Sequence, residues 1–227
     1  MIRKLLFPIL LGVAGLAVLI SLGVWQMQRL AWKEGILAEI DQRLAAEPVA
    51  LRADLTEDAD EYRHVFLTGE PSGEELHVLV SGTAAGTGYR VISKFLAADG
   101  TAVLVDLGLL ALDNKDAAPL SAPMQITGTL LWPDDKNSST PAPDLEKNIW
   151  FARNVADMSA ALKTEPLMVV ASQMSPSDTR LTPLPVETAN IKNDHWEYMV
   201  TWFLLAFVWS IMTMFWISRL LRQKDDE

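Results

Sequence analysis

His195 is the residue whose type and position in this sequence best suit chemistry. It lies in the polar stretch 193–198, which leads directly into an apolar segment ending at Ile217. About twenty helical residues, at roughly 1.5 Å each, span about 30 Å, the thickness of a bilayer's hydrocarbon core. A titratable imidazole placed where water meets lipid indicates a functional site. The competing interpretation is a histidine that only anchors the helix at the interface, as Trp and Tyr do.

Helical spacing would place other side chains on the same face as His195. Tyr198, Met199 and Trp202 follow it at i+3, i+4 and i+7, and these offsets share one face of a helix. Trp25 closes the other long apolar segment of the chain. We therefore expect Trp25 at the same membrane depth as His195.

No other part of the sequence carries a recognisable catalytic or metal-binding pattern. There is no Gly-rich phosphate loop, nucleophile elbow or cluster with metal-ligand spacing. The chain has no cysteine, which excludes disulfides, thiolate metal sites and cysteine nucleophiles. His64 and His77 fall on predicted strands, and two lone histidines do not match a metal site. The sequence therefore does not favour an enzyme.

Two apolar segments bracket the chain, and both are long enough to cross a membrane. The first, residues 5–25, exceeds the 7–15-residue core of a cleaved signal peptide and is followed by no small-residue cleavage site, so it predicts an uncleaved anchor. The basic residues on the outer flanks of the two segments are Arg3, Lys4, Arg219, Arg222 and Lys224. Positive residues stay inside, so both termini are expected on the cytoplasmic (or matrix) side and the main domain across the membrane.

The segment between the two apolar ends predicts an acidic domain. Residues 26–198 carry 14 basic and 26 acidic side chains, a net charge of −12 within the overall −10. Such a surface does not suit nucleic acid, whose phosphates require a basic partner. About 170 residues are enough for one domain with its own core.

The patterning of this middle segment indicates a β-rich fold. Short runs rich in β-branched residues, separated by Gly and Asp turns, predict strands over 64–68, 76–80, 89–96, 101–107, 124–131 and 167–172. Pro71-Ser72-Gly73 is expected to form the turn between the first two. Asn154 is typical of a helix N-cap before a short helix ending at Leu162. Residues 175–187 contain three prolines and predict an extended strap. The predicted fold class is an α+β membrane protein with two transmembrane helices bracketing an antiparallel, small barrel-like domain.

The predicted organisation has six parts. They are a cytoplasmic N-terminus (1–4), a first transmembrane helix (5–25), a helical stalk (26–47), an extracytoplasmic β-rich domain (48–197), a second transmembrane helix (198–217) and a cytoplasmic tail (218–227).

Two motifs at the membrane ends and several looser ones between them resemble one known family. The specific motifs are Leu22-Gly23-x-Trp25-Gln26-x-x-Arg29-x-x-Trp32-Lys33 and Asn193-x-His195-x-x-Tyr198-x-x-Thr201-Trp202-Phe203-x-x-Ala206. The looser ones are Tyr62-Arg63-His64-Val65-x-x-x-Gly69, Asp99-Gly100 with Val103-Leu104-Val105-x-x-Gly108, and Asn148-Ile149-Trp150. Together they resemble the surfeit-locus protein one family, two-span assembly factors for haem-copper cytochrome oxidase. Leu107 and Leu109 stand where that family usually has Arg and Trp, and Lys94 where it has a proline.

The resemblance implies assistance in building oxidase subunit I at the step where haem a enters. His195 matches the histidine proposed as iron ligand in bacterial members, and neutral imidazole is a standard axial ligand of haem. The other haem-contacting residues implied are Tyr198, Trp202 and Trp25, and the implied partner-facing residues are Arg29, Trp32, Lys33 and Gly108.

The resemblance also implies partners and a location. The partners are subunit I and haem a synthase or another assembly factor, with haem a as a transient cofactor. The protein would be a two-pass protein of the inner (plasma) membrane, with its main domain in the periplasm or, in a mitochondrion, the intermembrane space. Two alternatives stay open: a scaffold that stabilises a subunit I intermediate without touching haem, and a periplasmic sensor, for which the cytoplasmic tails are too short to hold an output domain.

Overall fold

The computed structural model describes residues 2–83, 85–189 and 191–222. In chain order the elements are α1 (Ile2–Leu44), β1 (Val49–Ala50), α2 (Glu57–Asp60), β2 (His64–Thr83), β3 (Gly86–Ala97), β4 (Ala102–Ala111), a 3₁₀ turn (Leu112–Asn114), β5 (Met124–Leu131), β6 (Ile149–Trp150), α3 (Val155–Leu162), β7 (Met168–Ser175), β8 (Leu181–Thr182) and α4 (His195–Arg222). The chain divides into two compact units: a helical unit, Met1–Glu39 with Ala189–Glu227, and a β unit, Ile40–Thr188.

The helical unit is an antiparallel pair formed by α1 and α4. Early residues of α1 meet late residues of α4, as in the edge-to-face contact of Phe7 with Trp216, whose ring centroids are 6.3 Å apart. Small residues let the two backbones approach closely, which is typical of helix packing in membranes. The seam between the helices pairs Gly12 with Thr213, Gly15 with Trp209 and Gly23 with Phe203.

The outward faces of this helix pair are apolar. Large side chains such as Phe7, Phe207 and Phe215 are 63–67% exposed. Lipid rather than water is the solvent that so much exposed apolar surface requires. The two helices, Leu5–Leu44 and His195–Arg222, are long and apolar enough to cross a membrane. The chain is therefore a membrane protein with two spans.

The β unit contains a closed barrel of five strands. Their order is β2-β3-β4-β7-β5, and β5 pairs back onto β2. The 20-residue strand β2 closes the ring because its first part pairs with β5 and its longer second part pairs with β3. Closure removes the exposed strand edges that an open sheet would leave. All neighbours in the ring are antiparallel except β4 and β7, which are parallel.

Two apolar cores stabilise the β unit, one on each face of the barrel wall. Phe95, Ile126 and Leu130 belong to the first core and are fully buried. Alternate residues point to opposite faces, so Leu104 on β4 joins the second core with Met158 of α3. The predicted cap of that helix is confirmed, because the Asn154 side chain accepts a hydrogen bond from the Asp157 backbone N–H at 2.8 Å.

The predicted fold class is confirmed, but the strands differ from the prediction in three respects. β4 and β7 are parallel although an antiparallel domain was expected, and the two-residue strands β1, β6 and β8 were not predicted. Segments 64–68 and 76–80 were expected to be separate strands with a turn at Pro71, but they form the single strand β2. The register with β3 shifts between Pro71 and Glu75. Pro71 is the last residue paired before this shift, opposite Phe95, and residues 72–74 lie outside the regular ladder. Proline is common next to such bulges because it has no backbone N–H to give to the ladder.

Candidate functional site

His195 is the first residue of α4, and its half-buried ring meets a polar side chain of α1. Its Nδ1 lies 2.7 Å from Oε1 of Gln26. A side-chain amide oxygen only accepts, so the shared proton is on Nδ1. In the neutral ring Nε2 then carries a lone pair, and no residue that the structure describes hydrogen-bonds it. In its neutral form, the ring therefore presents Nε2 as an available nitrogen while its Nδ1 is held by Gln26.

Other polar contacts of the helical unit involve the residues just before His195. The Lys33 ammonium donates to the backbone carbonyl of Lys192, and the Lys192 ammonium pairs with Asp194 at 2.5 Å. The backbone N–H of Tyr198 bonds the carbonyl of Asp194 at 3.2 Å, which closes the first turn of α4. These contacts fix the backbone that leads into His195.

Asn193, two residues before His195, has a side-chain oxygen that is buried without a hydrogen-bond partner among the described residues. Buried acceptors of this kind are uncommon in native proteins and call for an explanation. A ligand or partner that supplies a donor at this position would satisfy the oxygen.

The residues expected to share a face with His195 separate into two groups. Met199 and Trp202 are half-buried like His195, whereas Tyr198 is 54% exposed. The inner face of α4 continues through Ala206, which is buried. Tyr198 lies about 60° from His195 around the helix axis, on the side away from Met199, so it stands at the edge of this face.

Trp25 precedes Gln26 on α1 and lies at nearly the same level of the helix pair, because adjacent residues differ by about 1.5 Å of rise. Its side chain is 54% exposed, whereas Gln26 is 8% exposed. One residue of helix rotates a side chain by about 100°, so Trp25 points away from the seam. The structure brings His195, Trp202 and Gln26 onto the seam and leaves Trp25 and Tyr198 facing outward.

Gln26 is the site residue that our interpretation of the sequence missed. Gln26 is part of the motif around Trp25, but neither its residue type nor its spacing suggested a role. A signal was present, since Gly12, Gly15, Gly23 and Gln26 recur at helical spacing and form the seam face of α1. A polar residue in a stripe of glycines indicates a hydrogen bond across the helix pair.

Arg29 and Trp32, two of the predicted partner-facing residues, lie on an outward face of α1. The Arg29 guanidinium stacks over the Trp32 ring, 3.8 Å from its centroid. Trp25, Trp32 and Ile36 are 54%, 52% and 39% exposed. We refer to Trp25, Arg29, Trp32 and Ile36 as the aromatic stripe. Lys33, by contrast, donates a hydrogen bond from its ammonium group to the backbone carbonyl of Lys192.

Gly108, the fourth predicted partner-facing residue, lies inside the β unit. It has φ +106°, and a side chain there would run into the backbone of Thr182. Its N–H donates to Oδ1 of Asp106 at 3.1 Å. The flanking Leu107 and Leu109, which depart from the family pattern, are buried in the apolar interior.

Asp106 is the centre of a buried ionic cluster next to Gly108. Its carboxylate contacts the guanidinium of Arg90 and lies 3.7 Å from that of Arg153. Burial raises the pKa of the Asp106 carboxyl, while both guanidinium groups oppose the rise. Arg90 also donates to the carbonyl of Leu184 at 2.8 Å, so the cluster holds the segment that follows β8.

The other histidines have structural partners. His64 Nδ1 lies 2.9 Å from the carbonyl oxygen of Ala46, and His77 Nε2 lies 2.8 Å from Glu75 Oε1. Both histidines are on β2, thirteen residues apart, so the strand separates them. Among the described residues no group of three or more His, Cys, Asp or Glu could hold a metal ion.

Comparison with known proteins matches almost the whole chain. A sequence model described as the SURF1 family matches residues 13–207, a range that includes the motifs around Trp25 and His195. A SURF1-like protein from Drosophila melanogaster is 31% identical over 217 residues, covering 85% of this chain and 71% of its own. A SURF1-like protein from Rickettsia felis is 30% identical over 212 residues, covering 89% of this chain and 92% of its own.

Surfeit locus protein 1 from Xenopus tropicalis is also similar, with 26% identity over 235 residues, 89% of this chain and 72% of its own. The matches confirm the resemblance carried by the two membrane-end motifs. The chain therefore belongs to the SURF1 family.

Proposed function

We propose that this protein helps to assemble a haem-copper terminal oxidase by carrying haem a to subunit I, with His195 as the ligand of the iron. Membership of the SURF1 family supports the assembly role. The observation that carries the ligand assignment is the hydrogen bond from His195 Nδ1 to Gln26. In the neutral ring this bond places the proton on Nδ1 and leaves Nε2 with a lone pair and no partner among the described residues.

His195 and its hydrogen-bond partner suit the binding of a haem iron. Histidines that bind metals usually donate their second ring N–H to a carbonyl or carboxylate, which orients the ring and makes the ligating nitrogen more basic. His195 has such a partner in Gln26. A haem iron in turn accepts an imidazole nitrogen as an axial ligand.

The surroundings suit a planar apolar cargo that must later be released. Trp25 and Tyr198 face outward and keep about half of their surface exposed. Trp202 is half-buried on the face of α4 that carries His195, about two turns further along the helix. Aromatic rings with one exposed face offer stacking area to a macrocycle without enclosing it. A half-buried site is appropriate for a carrier, because its contacts with the cargo are given up at transfer.

Both termini of the proposed carrier lie on the cytoplasmic (or matrix) side, and its β unit lies across the membrane. The basic flanks of the two spans support this orientation. Haem a would come from haem a synthase or another assembly factor and pass to subunit I. Reporter fusions should be active in the cytoplasm after Arg222 and across the membrane near Lys136; the reverse pattern would contradict the orientation.

The test of the haem role is the visible spectrum of the full-length protein purified from cells that make haem a. The wild type should show a Soret band, and His195→Ala should lose it at unchanged abundance. His64→Ala is the matched control, since its ring is bonded to Ala46 within the β unit, and it should keep the band. A His195→Ala protein that retains haem a as the wild type does would contradict the ligand assignment.

A scaffold that stabilises a subunit I intermediate without binding haem is the second candidate. The observation that favours it is the aromatic stripe, whose Trp32 is 52% exposed with Arg29 stacked on it. Aromatic and arginine side chains dominate the energetics of protein interfaces. The scaffold predicts a haem-free wild type and an assembly defect in Trp32→Ala, whereas the carrier predicts haem in both proteins.

A further inference from the structure

We propose that Gln26 is a positioning residue that holds His195 in the Nδ1-protonated tautomer and thereby presents Nε2 as the ligating nitrogen. This inference rests on the proposed haem role of His195. It gives a function to a residue of α1, although the ligand itself is on α4.

The burial of Gln26 supports a specific role. It is 8% exposed and is the one buried polar side chain in the described part of the helical unit. A buried amide is unfavourable unless it is hydrogen-bonded, and the partner that Gln26 has is His195 Nδ1 at 2.7 Å. An apolar residue would fill this place in the seam without that requirement, so packing alone does not account for Gln26.

The hydrogen bond determines which ring nitrogen is available. The amide oxygen can only accept, so it selects the tautomer with the proton on Nδ1. Without this acceptor the proton is free to occupy Nε2, where it blocks the lone pair that would bind iron. The acceptor also fixes the orientation of the ring.

The first measurement needs no haem. The chain has three histidines, so ¹⁵N NMR of histidine-labelled, full-length protein in micelles resolves few ring nitrogens, and His195→Ala assigns those of His195. In the neutral ring, the wild type should show a protonated Nδ1 and an unprotonated Nε2. Gln26→Leu should shift the proton toward Nε2, and Gln26→Glu, which keeps an acceptor, should restore the wild-type pattern. An unchanged tautomer in Gln26→Leu would overturn the proposal.

The second measurement titrates the same proteins with haem a in detergent. Loss of an outer partner of a metal ligand typically weakens metal affinity about 10–100-fold, so we expect that range for Gln26→Leu. Gln28→Leu is the matched control, because Gln28 is two residues away on the same helix and exposed, and it should bind as the wild type does. Gln26→Glu should keep haem a and lower its midpoint potential, because a stronger acceptor makes the imidazole more basic.

The two measurements separate this inference from the proposed function. Wild-type affinity and potential in Gln26→Leu, together with loss of haem a in His195→Ala, would refute the positioning role and leave the ligand assignment standing. A wild type that binds no haem a would refute the proposed function, and the tautomer measurement would still decide whether Gln26 controls His195.

Discussion

Gly108→Ala tests whether Gly108 is needed for packing inside the β unit or is available to a partner. Gly108 has φ +106° and lies where the register between β3 and β4 shifts. A methyl group there would meet the backbone of Thr182 and Pro183. The variant can relieve that contact only by moving this segment away from the barrel.

The expected cost has two parts. A non-glycine residue held in such a backbone conformation costs about 1–3 kcal/mol, and extra volume forced into a packed site costs typically about 1–3 kcal/mol. Gly108→Ala should therefore lower the free energy of unfolding by about 2–6 kcal/mol. Gly100→Ala is the matched control, because Gly100 has φ +89° and no atom within 4 Å of an added methyl. It should therefore show only the cost of the backbone conformation, about 1–3 kcal/mol.

The assay combines denaturant unfolding of the full-length protein with hydrogen exchange of the segment that contains β8. Moving that segment breaks the pairing of Thr182 with Leu109 and of Leu181 with Leu110. Exchange should therefore rise in β8 for Gly108→Ala and stay at the wild-type level for Gly100→Ala. Equal losses of unfolding free energy in the two variants, with unchanged exchange in β8, would refute the packing argument. Gly108 would then remain a candidate for contact with a partner.

Three further perturbations test other parts of the structure. Gly15→Leu should clash with Trp209 across the seam and lower the SDS concentration at which the helical circular-dichroism signal is lost. Gly35→Leu, with open space around it, should leave that concentration unchanged. Equal shifts in the two variants would contradict the packing of α1 on α4 at Gly15. The Arg180 hydrogen bond lowers the pKa of Asp178, so its stabilisation is present above the ordinary value of about 3.9 and is lost as pH falls through the lower folded-state value. Asp178→Asn should therefore flatten the melting temperature against pH below about pH 4, and an unchanged slope would refute this. Arg29→Ala should reduce assembled oxidase more than it reduces the abundance of this protein, while Gln28→Ala should affect neither; parallel losses would indicate a folding defect.

Local patterns in the sequence were sufficient to predict the two membrane helices and most of the strands. Two uninterrupted apolar segments predict two membrane helices because the bilayer thickness requires that length. Alternating runs with Gly and Asp turns predict the strands, since a strand shows one face to each side. The capping role of Asn154 is equally local, because its partner Asp157 is three residues away. The prediction of a turn at Pro71 was wrong because turns and bulges contain the same residue types. Only the register with β3 shows that this segment is a bulge within one strand.

Identifying the candidate site required both the sequence and the tertiary structure. His195 was identifiable from the sequence, because an imidazole at the mouth of an apolar helix is unusual wherever that helix packs. Its partner Gln26 is 169 residues away in the chain, and no local pattern encodes a pairing over that separation. The outward positions of Trp25 and Tyr198 likewise follow from which faces of α1 and α4 meet.

The sequence by itself therefore determined the two apolar spans and most of the strands, and it singled out His195 as the candidate for chemistry. The tertiary structure alone decided that Gln26 meets His195, that Nε2 is the nitrogen left available, and that Gly108 packs against Thr182. The physical reason is that secondary structure is set by neighbours within a few residues, whereas hydrogen bonds across a helix seam and close backbone approaches are set by packing between segments distant in the chain.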